Sequence, residues 1–237
     1  ITGSTDSLRI LRLDSLGNTI WSKTFDIGLY LIYDIKNTSD GKFIACGKRI
    51  QQIDGVVLKF DIQGNLEWLR IYPTGGIKPL YSIDELPNNG YIVTGEDKDL
   101  PNDTDKILLM RIDSTGNIIW EKEHKIFTRS AYGEFIKKIN NGFIIAGGTF
   151  DTVNVPENER VYFLRTDTSG NVRFTKVFPN NRHDFYSAAQ YINENRFMFS
   201  SFAYSQIIPN DSSTNIVNIA DSMGNIISSK NFYTNIF

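Results

Sequence analysis

The 237 residues carry 25 Lys and Arg against 27 Asp and Glu, a net charge of −2, so no broad positive field exists to attract nucleic acid phosphates or an anionic membrane. A hydrophobic content of 41% is ordinary for a folded globular chain and excludes a disordered or fibrous class. No apolar run approaches the roughly 20 residues of a membrane helix, so direct membrane insertion is not expected, and no charged-then-apolar leader stands at the start. The first residue is Ile1 rather than methionine, which points to a removed leader or a piece of something longer.

In chain order, the first elements are two apolar runs, Leu8 to Leu13 and Ile20 to Phe25, separated by a turn sequence from Asp14 to Asn18. Tyr33 to Thr38 and Phe43 to Gly47 follow, joined at Asp40-Gly41. The single cysteine, Cys46, lies inside the run Phe43-Ile44-Ala45-Cys46, where a buried, unreactive thiol is expected because no histidine or basic cluster stands near it in sequence. It has no partner for an internal disulfide, and it leaves the redox compartment open. Further on, Tyr91 to Gly95 follows Asn88-Asn89-Gly90, Phe143 to Gly147 follows Asn140-Asn141-Gly142, and Phe197 to Ser201 follows Asn193-Glu194-Asn195. Ile107 to Ile112 and Ile118 to Trp120 flank another copy of the first turn.

That turn, Asp-x-x-Gly-Asn, occurs five times, at Asp14, Asp61, Asp113, Asp167 and Asp221, with spacings of 47, 52, 54 and 54 residues. Aspartate bonds forward to turn amides, and Gly and Asn tolerate unusual φ, so each copy reads as a tight reversal between strands. A second hairpin between successive copies makes four strands per repeat. Four antiparallel strands in roughly 40 to 55 residues, repeated without helical periodicity, predict an all-β chain of β-propeller blades. Complete blades are expected at 30–70, 80–124, 132–178 and 186–232, with a partial one at 1–26, all within a single domain or fragment spanning 1–237. Ile1-Thr2-Gly3 aligns with Val93-Thr94-Gly95, and Phe237 falls where another inner strand would begin. The expectation is a five-bladed ring, or part of a larger propeller.

Trp21, Trp68 and Trp120 each stand seven residues after a motif aspartate; Phe174 takes that place in the fourth copy and Ser228 in the fifth. A large flat side chain at one blade position is expected to pack between adjacent sheets. A basic residue recurs two places before the aspartate, as Arg12, Lys59, Arg111 and Arg165, and is read as bridging to the neighbouring blade rather than as a ring of cations for an acidic ligand. Tyr33, Tyr81, Tyr132 and Tyr186 sit at or near the start of the inner strand. Interblade packing with the hydroxyls hydrogen-bonded is the expected role, with a circle of phenols able to stack a sugar or peptide as the alternative, and they are the candidate ligand-binding residues. His124 and His183 lack the spacing and company of a zinc site, and no metal or cofactor is expected.

The pattern Asp-x-x-Gly-x-x-x-Trp at 14–21, 61–68 and 113–120 resembles the tryptophan-docking motif of eight-bladed quinoprotein-type propellers, some of them quinone-dependent dehydrogenases and others noncatalytic assembly scaffolds. The whole repeat is similar to those of secreted bacterial propellers, many exported by the type IX route. That dehydrogenase activity would need a vicinal cysteine pair, and only Cys46 exists. The resemblance therefore implies a fold and an extracellular or cell-surface location, and carries no catalytic residue across.

The two tight turns of each blade fall at one end, and the remaining connections fall at the other. These are Lys48 to Gly55, Glu96 to Asp105, Gly148 to Arg160 and Ala203 to Thr214 within blades, and Tyr72 to Pro79, His124 to Ser130 and Pro179 to Asp184 between them. They vary in length and composition, which is where a rigid scaffold places recognition. The expected function is a noncatalytic binding or scaffold module for a protein or glycan. The alternatives are a glycan-active enzyme using loop carboxylates such as Asp99 and Asp151, and a structural spacer in a larger surface protein.

Overall fold

The computed structural model describes residues 7–28, 30–50, 53–73, 78–87, 90–99, 104–126, 130–150, 159–178, 183–193, 196–204 and 212–235. They form eighteen strands, with no helix among the described residues. Strands β1 (Leu8–Leu13) and β2 (Thr19–Phe25) make a two-stranded sheet. Four sheets of four follow, each built from consecutive strands. The first is β3 (Tyr30–Asn37), β4 (Phe43–Arg49), β5 (Gly55–Phe60) and β6 (Leu66–Tyr72), and the second is β7 (Leu80–Glu85), β8 (Tyr91–Asp99), β9 (Thr104–Ile112) and β10 (Ile118–His124). The third is β11 (Ala131–Ile139), β12 (Gly142–Phe150), β13 (Glu159–Thr166) and β14 (Val172–Val177), and the fourth is β15 (His183–Asn193), β16 (Arg196–Tyr204), β17 (Ser212–Asp221) and β18 (Ile226–Asn235). This is the all-β, blade-like architecture that the repeats predict. The chain divides into two compact units, Ile1–Asn102 with Leu108–Glu123, and Asp103–Ile107 with His124–Phe237.

The five Asp-x-x-Gly-Asn turns share one hydrogen-bond pattern. At the first, Asp14 N donates to Asn18 O at 2.9 Å and Gly17 N to Asp14 O at 3.1 Å, while Asp14 Oδ1 accepts from the amides of Leu16 at 2.9 Å and Asn18 at 2.8 Å. Gly17, Gly64, Gly116, Gly170 and Gly224 hold φ between 73° and 86°, the left-handed conformation a side chain disfavours. Hydrogen bonds from Asn18, Asn65, Asn171 and Asn225 hold the carboxyls of Asp14, Asp61, Asp167 and Asp221 below the usual range. Donors from Asn117 and Thr115 take Asp113 to about 2.

In the first unit β5 is buried along its whole length because its sheet is covered on both faces. Val56, Leu58 and Phe60 pack with Leu8, Ile10 and Tyr30 toward β1 and β2, while Val57 joins Ile44, Ile83, Tyr91, Leu108 and Met110 toward the β7 to β10 sheet. In the second unit Ile144, Ala146, Val161 and Phe163 pack against Phe197, Phe199 and Ala220. Each fully buried aliphatic contributes about 1.5–3 kcal/mol. Cys46 is 0% exposed and burial pushes its thiol well up, so it is inert.

Trp21 crosses to the next sheet and donates its Nε1–H to Ile62 O at 3.0 Å, and a Cβ on Gly64 would lie 2.7 Å from its ring. Trp68 lies on Gly116 in the same way, with 3.0 Å to that imagined Cβ. Three of the recurrent basic residues make the same crossing. Arg12 donates to Ile62 O at 3.2 Å, Lys59 to the Tyr91 hydroxyl at 2.9 Å, and Arg165 to Ser222 O at 3.4 Å. Trp21, Trp68, Arg12, Lys59 and Arg165 thus act as fasteners between consecutive blades of the same unit.

Candidate functional site

A β-bulge interrupts the inner strand of every four-stranded sheet opposite the end of the second strand. The register skips Tyr33 between Ile32 and Asp34, Tyr81 between Leu80 and Ser82, Glu134 between Gly133 and Phe135, and Ser187 between Tyr186 and Ala188. A bulged residue has no partner across the ladder, and its side chain is re-aimed off the sheet. Tyr33 and Tyr81 therefore occupy equivalent bulge positions, whereas Tyr132 stands two residues before the bulge of its strand and Tyr186 one before. The four candidate tyrosines fall on three different registers.

Their environments differ accordingly. Tyr33 is 44% exposed, and its ring meets that of Tyr81 edge to face, centroids 5.0 Å apart at 66°. Lys48 Nζ lies 5.8 Å from the Tyr33 centroid, and the Tyr81 hydroxyl donates to Glu96 Oε2 at 2.9 Å. The result is a small aromatic platform flanked by an ammonium and a carboxylate. In the other unit, Tyr132 donates its hydroxyl to Glu159, which is 4% exposed. Burial raises the Glu159 carboxyl and the Tyr132 bond opposes that rise. Tyr186 packs against the core, where burial and the nearby Glu134 carboxylate raise its phenol. Tyr81, Tyr132 and Tyr186 are each half-buried, the first two with their hydroxyls on a carboxylate and the third packed against a core, and the exposed ring of the four is that of Tyr33.

A second constellation was not visible in the sequence. Carboxylate oxygens of Asp97 on β8 and of Glu121 and Glu123 on β10 lie within 4.8 Å of one another. The ammonium of Lys78, in the connection before β7, reaches Asp97 at 3.0 Å, Glu121 at 2.8 Å and Glu123 at 3.8 Å. Three acidic ligands at such separations could hold a cation, and here the lysine supplies the positive charge. Glu121 and Glu123, two apart on an outer strand and hence on one face, are the sequence signal that could have pointed to the cluster. Asp97 has its carboxyl pushed up to about 6, by burial first and by sharing a hydrogen bond with Glu123, against the lowering effect of Lys78. The folded chain therefore binds a proton here more tightly than the unfolded chain does, between about pH 4 and 6. Stability falls as pH rises through that window. Asp97→Asn is expected to flatten this slope and raise stability above pH 6, measured by urea denaturation at pH 4.5 and 7.5. An unchanged slope would show that Asp97 is not the group responsible.

The Asp99 side chain and all of Asp151 lie outside the described residues, as do the central parts of several loops at that end of the sheets, including 100–103, 151–158 and 205–211. Among the described residues, one apolar cleft lies between the two-stranded sheet and the next, lined by Ile10, Leu11, Trp21, Ile35, Phe43 and Phe60.

Sheets of this make, four consecutive antiparallel strands with a tight turn in each repeat and side-chain fasteners between blades of the same unit, define a protein with a β-propeller fold. The chain is similar in structure to hydrazine synthase of Kuenenia stuttgartiensis, a propeller protein, with a TM-score of 0.60 and 14% identity over 98% of this chain. It spans 60% of that chain's length, and at this identity the likeness speaks for the fold alone. No family description matches the sequence, and no curated protein matches it.

Proposed function

We propose that this chain is a noncatalytic binding or scaffold module, secreted or displayed at the bacterial cell surface, that recognises a glycan or a protein segment. The observation that carries the reading is the Tyr33 and Tyr81 pair. Two β-bulges aim adjacent phenols off the inner strands, one ring is 44% exposed, and Lys48 and Glu96 flank it. Aromatic faces with a few fixed polar groups suit the apolar faces of sugars and the side chains of peptides. The location rests on the resemblance of the repeat to those of secreted bacterial propellers. Against a glycan-active enzyme stands the lysine wedged among Asp97, Glu121 and Glu123. A hydrolytic pair needs roughly 5 to 10 Å of open space between carboxyls for the sugar.

Glycan and peptide arrays probed with the intact chain test the proposal. Tyr33→Ala, at an exposed position, is expected to weaken any array-positive interaction by about tenfold, the loss of one aromatic contact, while leaving the thermal midpoint nearly unchanged. Binding that survives Tyr33→Ala at full strength would remove the tyrosine pair from the recognition surface.

A further inference from the structure

The fourth repeat carries Phe174 where the first three carry Trp21, Trp68 and Trp120. In the first unit the Ile62 carbonyl takes two donors, the Trp21 indole at 3.0 Å and Arg12 at 3.2 Å. Its counterpart one place into the fifth turn is the Ser222 carbonyl. That oxygen receives Arg165 at 3.4 Å, and Phe174 has no N–H to offer it. The frame is otherwise kept, since Lys23 reaches Asn65 Oδ1 at 3.3 Å in one unit and Lys176 reaches Asn225 Oδ1 at 2.8 Å in the other. What differs is the space above the turn glycine. A Cβ on Gly64 or Gly116 would strike an indole, whereas on Gly224 its three nearest neighbours are Lys176 methylenes, the closest at 3.1 Å.

An open cleft of about 600 Å3 lies at this place, lined by Asn141, Arg165, Asp167, Thr168, Arg173, Phe174 and Met223. Its charge is unbalanced in one sense. Asp167 is occupied by its own turn, accepting from Ser169 N at 2.9 Å, Asn171 N at 2.9 Å and Asn171 Nδ2 at 3.1 Å. Arg173 lies 3.5 Å from that carboxylate and is 65% exposed, so its guanidinium is loosely held and can receive another anion. Phe174 supplies an aromatic wall and Met223, 53% exposed, an adaptable apolar one.

We propose that this vacated dock binds an indole carboxylate, a flat ring whose N–H meets the Ser222 carbonyl and whose carboxylate is clamped by Arg173 and Arg165. The site lies at the tight-turn end of its sheets and does not depend on the reading of Tyr33 and Tyr81. Two sources share this chemistry, a free indole acid and the C-terminal tryptophan of a peptide. The test titrates the intact chain by calorimetry with indole-3-acetate, neutral indole, and a short peptide ending in tryptophan alongside its C-terminal amide. Saturable binding of indole-3-acetate or of the peptide acid is the expected result, the first alone indicating a small-molecule source and the second alone a protein terminus. Phe174→Trp fills the cleft with the chain's own indole, abolishes that binding and raises Tm by roughly 2–4 °C. Arg173→Gln, at an exposed position that does not threaten folding, weakens the acids about tenfold and leaves neutral indole unchanged. No saturable binding of either acid at millimolar concentration, or acid binding unaffected by both substitutions, overturns the proposal.

Discussion

Gly95→Ala is expected to cost about 3–4 kcal/mol, the upper range for overpacking a rigid site, measured as a shift in the urea midpoint. A Cβ at this position would stand 2.0 Å from the carbonyl oxygen of Pro79 and 3.0 Å from the Leu80 Cα, backbone atoms that no rotamer change can move aside. The same approach recurs at Gly47, 1.9 Å from Leu31 O, and at Gly147, 2.0 Å from Tyr132 O. The common cause is the inner-strand bulge, since Gly47, Gly95 and Gly147 pair with the last residue before it and the bulge presses the preceding carbonyl across the ladder. Gly17 provides the contrast. Nothing lies within 4 Å of its imagined Cβ, so alanine there meets only the strain of φ 86°, about 1–2 kcal/mol. Because the bulge that forbids a Cβ at Gly95 is the one that aims Tyr81, Gly95→Ala also displaces the aromatic platform. A loss below about 1 kcal/mol would mean that β7 yields easily and the close approach is not a constraint.

What the sequence discloses and what it conceals follow from the range of the interactions. The Asp-x-x-Gly-Asn turns are legible because every bond in them spans at most four residues, as from Asp14 to Asn18. The regular place of Trp21 and Lys59 in the repeat shows that they serve the blade frame. Their partners, Ile62 O at a separation of 41 residues and the Tyr91 hydroxyl at 32, become visible only when sheets stack. The tyrosines show how counting along a repeat misleads. Tyr33, Tyr81, Tyr132 and Tyr186 look equivalent from their distance to neighbouring turns, but a bulge adds an unpaired residue, and Tyr33 and Tyr81 fall on it while Tyr132 and Tyr186 fall two and one positions before it. Glu134 and Ser187, the residues that share the bulge position with Tyr33 and Tyr81, have no common chemistry to betray it. Lys78, Asp97, Glu121 and Glu123 read in sequence as ordinary solvated charges, and only the fold assembles them.

Asp40→Ala is expected to destabilise the chain by about 2–3 kcal/mol, because it strands the ammonium of Lys59. Lys59 is only 6% exposed and its Nζ is held between Asp40 Oδ2 at 2.7 Å and the Tyr91 hydroxyl at 2.9 Å, with Tyr91 itself fully buried. The cost stays below that of breaking a wholly buried pair because the Asp40 side chain is 37% exposed and water reaches the vacated place. Burial alone would raise the Asp40 carboxyl, but donors from Lys59 and Thr38 outweigh it and bring it down to about 2. The pair's contribution is therefore complete above the usual carboxylate range near pH 4 and is lost as pH falls through about 2. Lys59→Met in the Asp40→Ala background removes the unpaired charge while keeping most of the apolar stem, and is expected to recover about half of the loss. A cycle over the two single variants and the double variant, read by urea denaturation at pH 7, measures the coupling directly. Additive losses would mean that Lys59 holds its place through its stem and Tyr91 alone, and that the carboxylate of Asp40, in the same sheet, adds nothing to its hold.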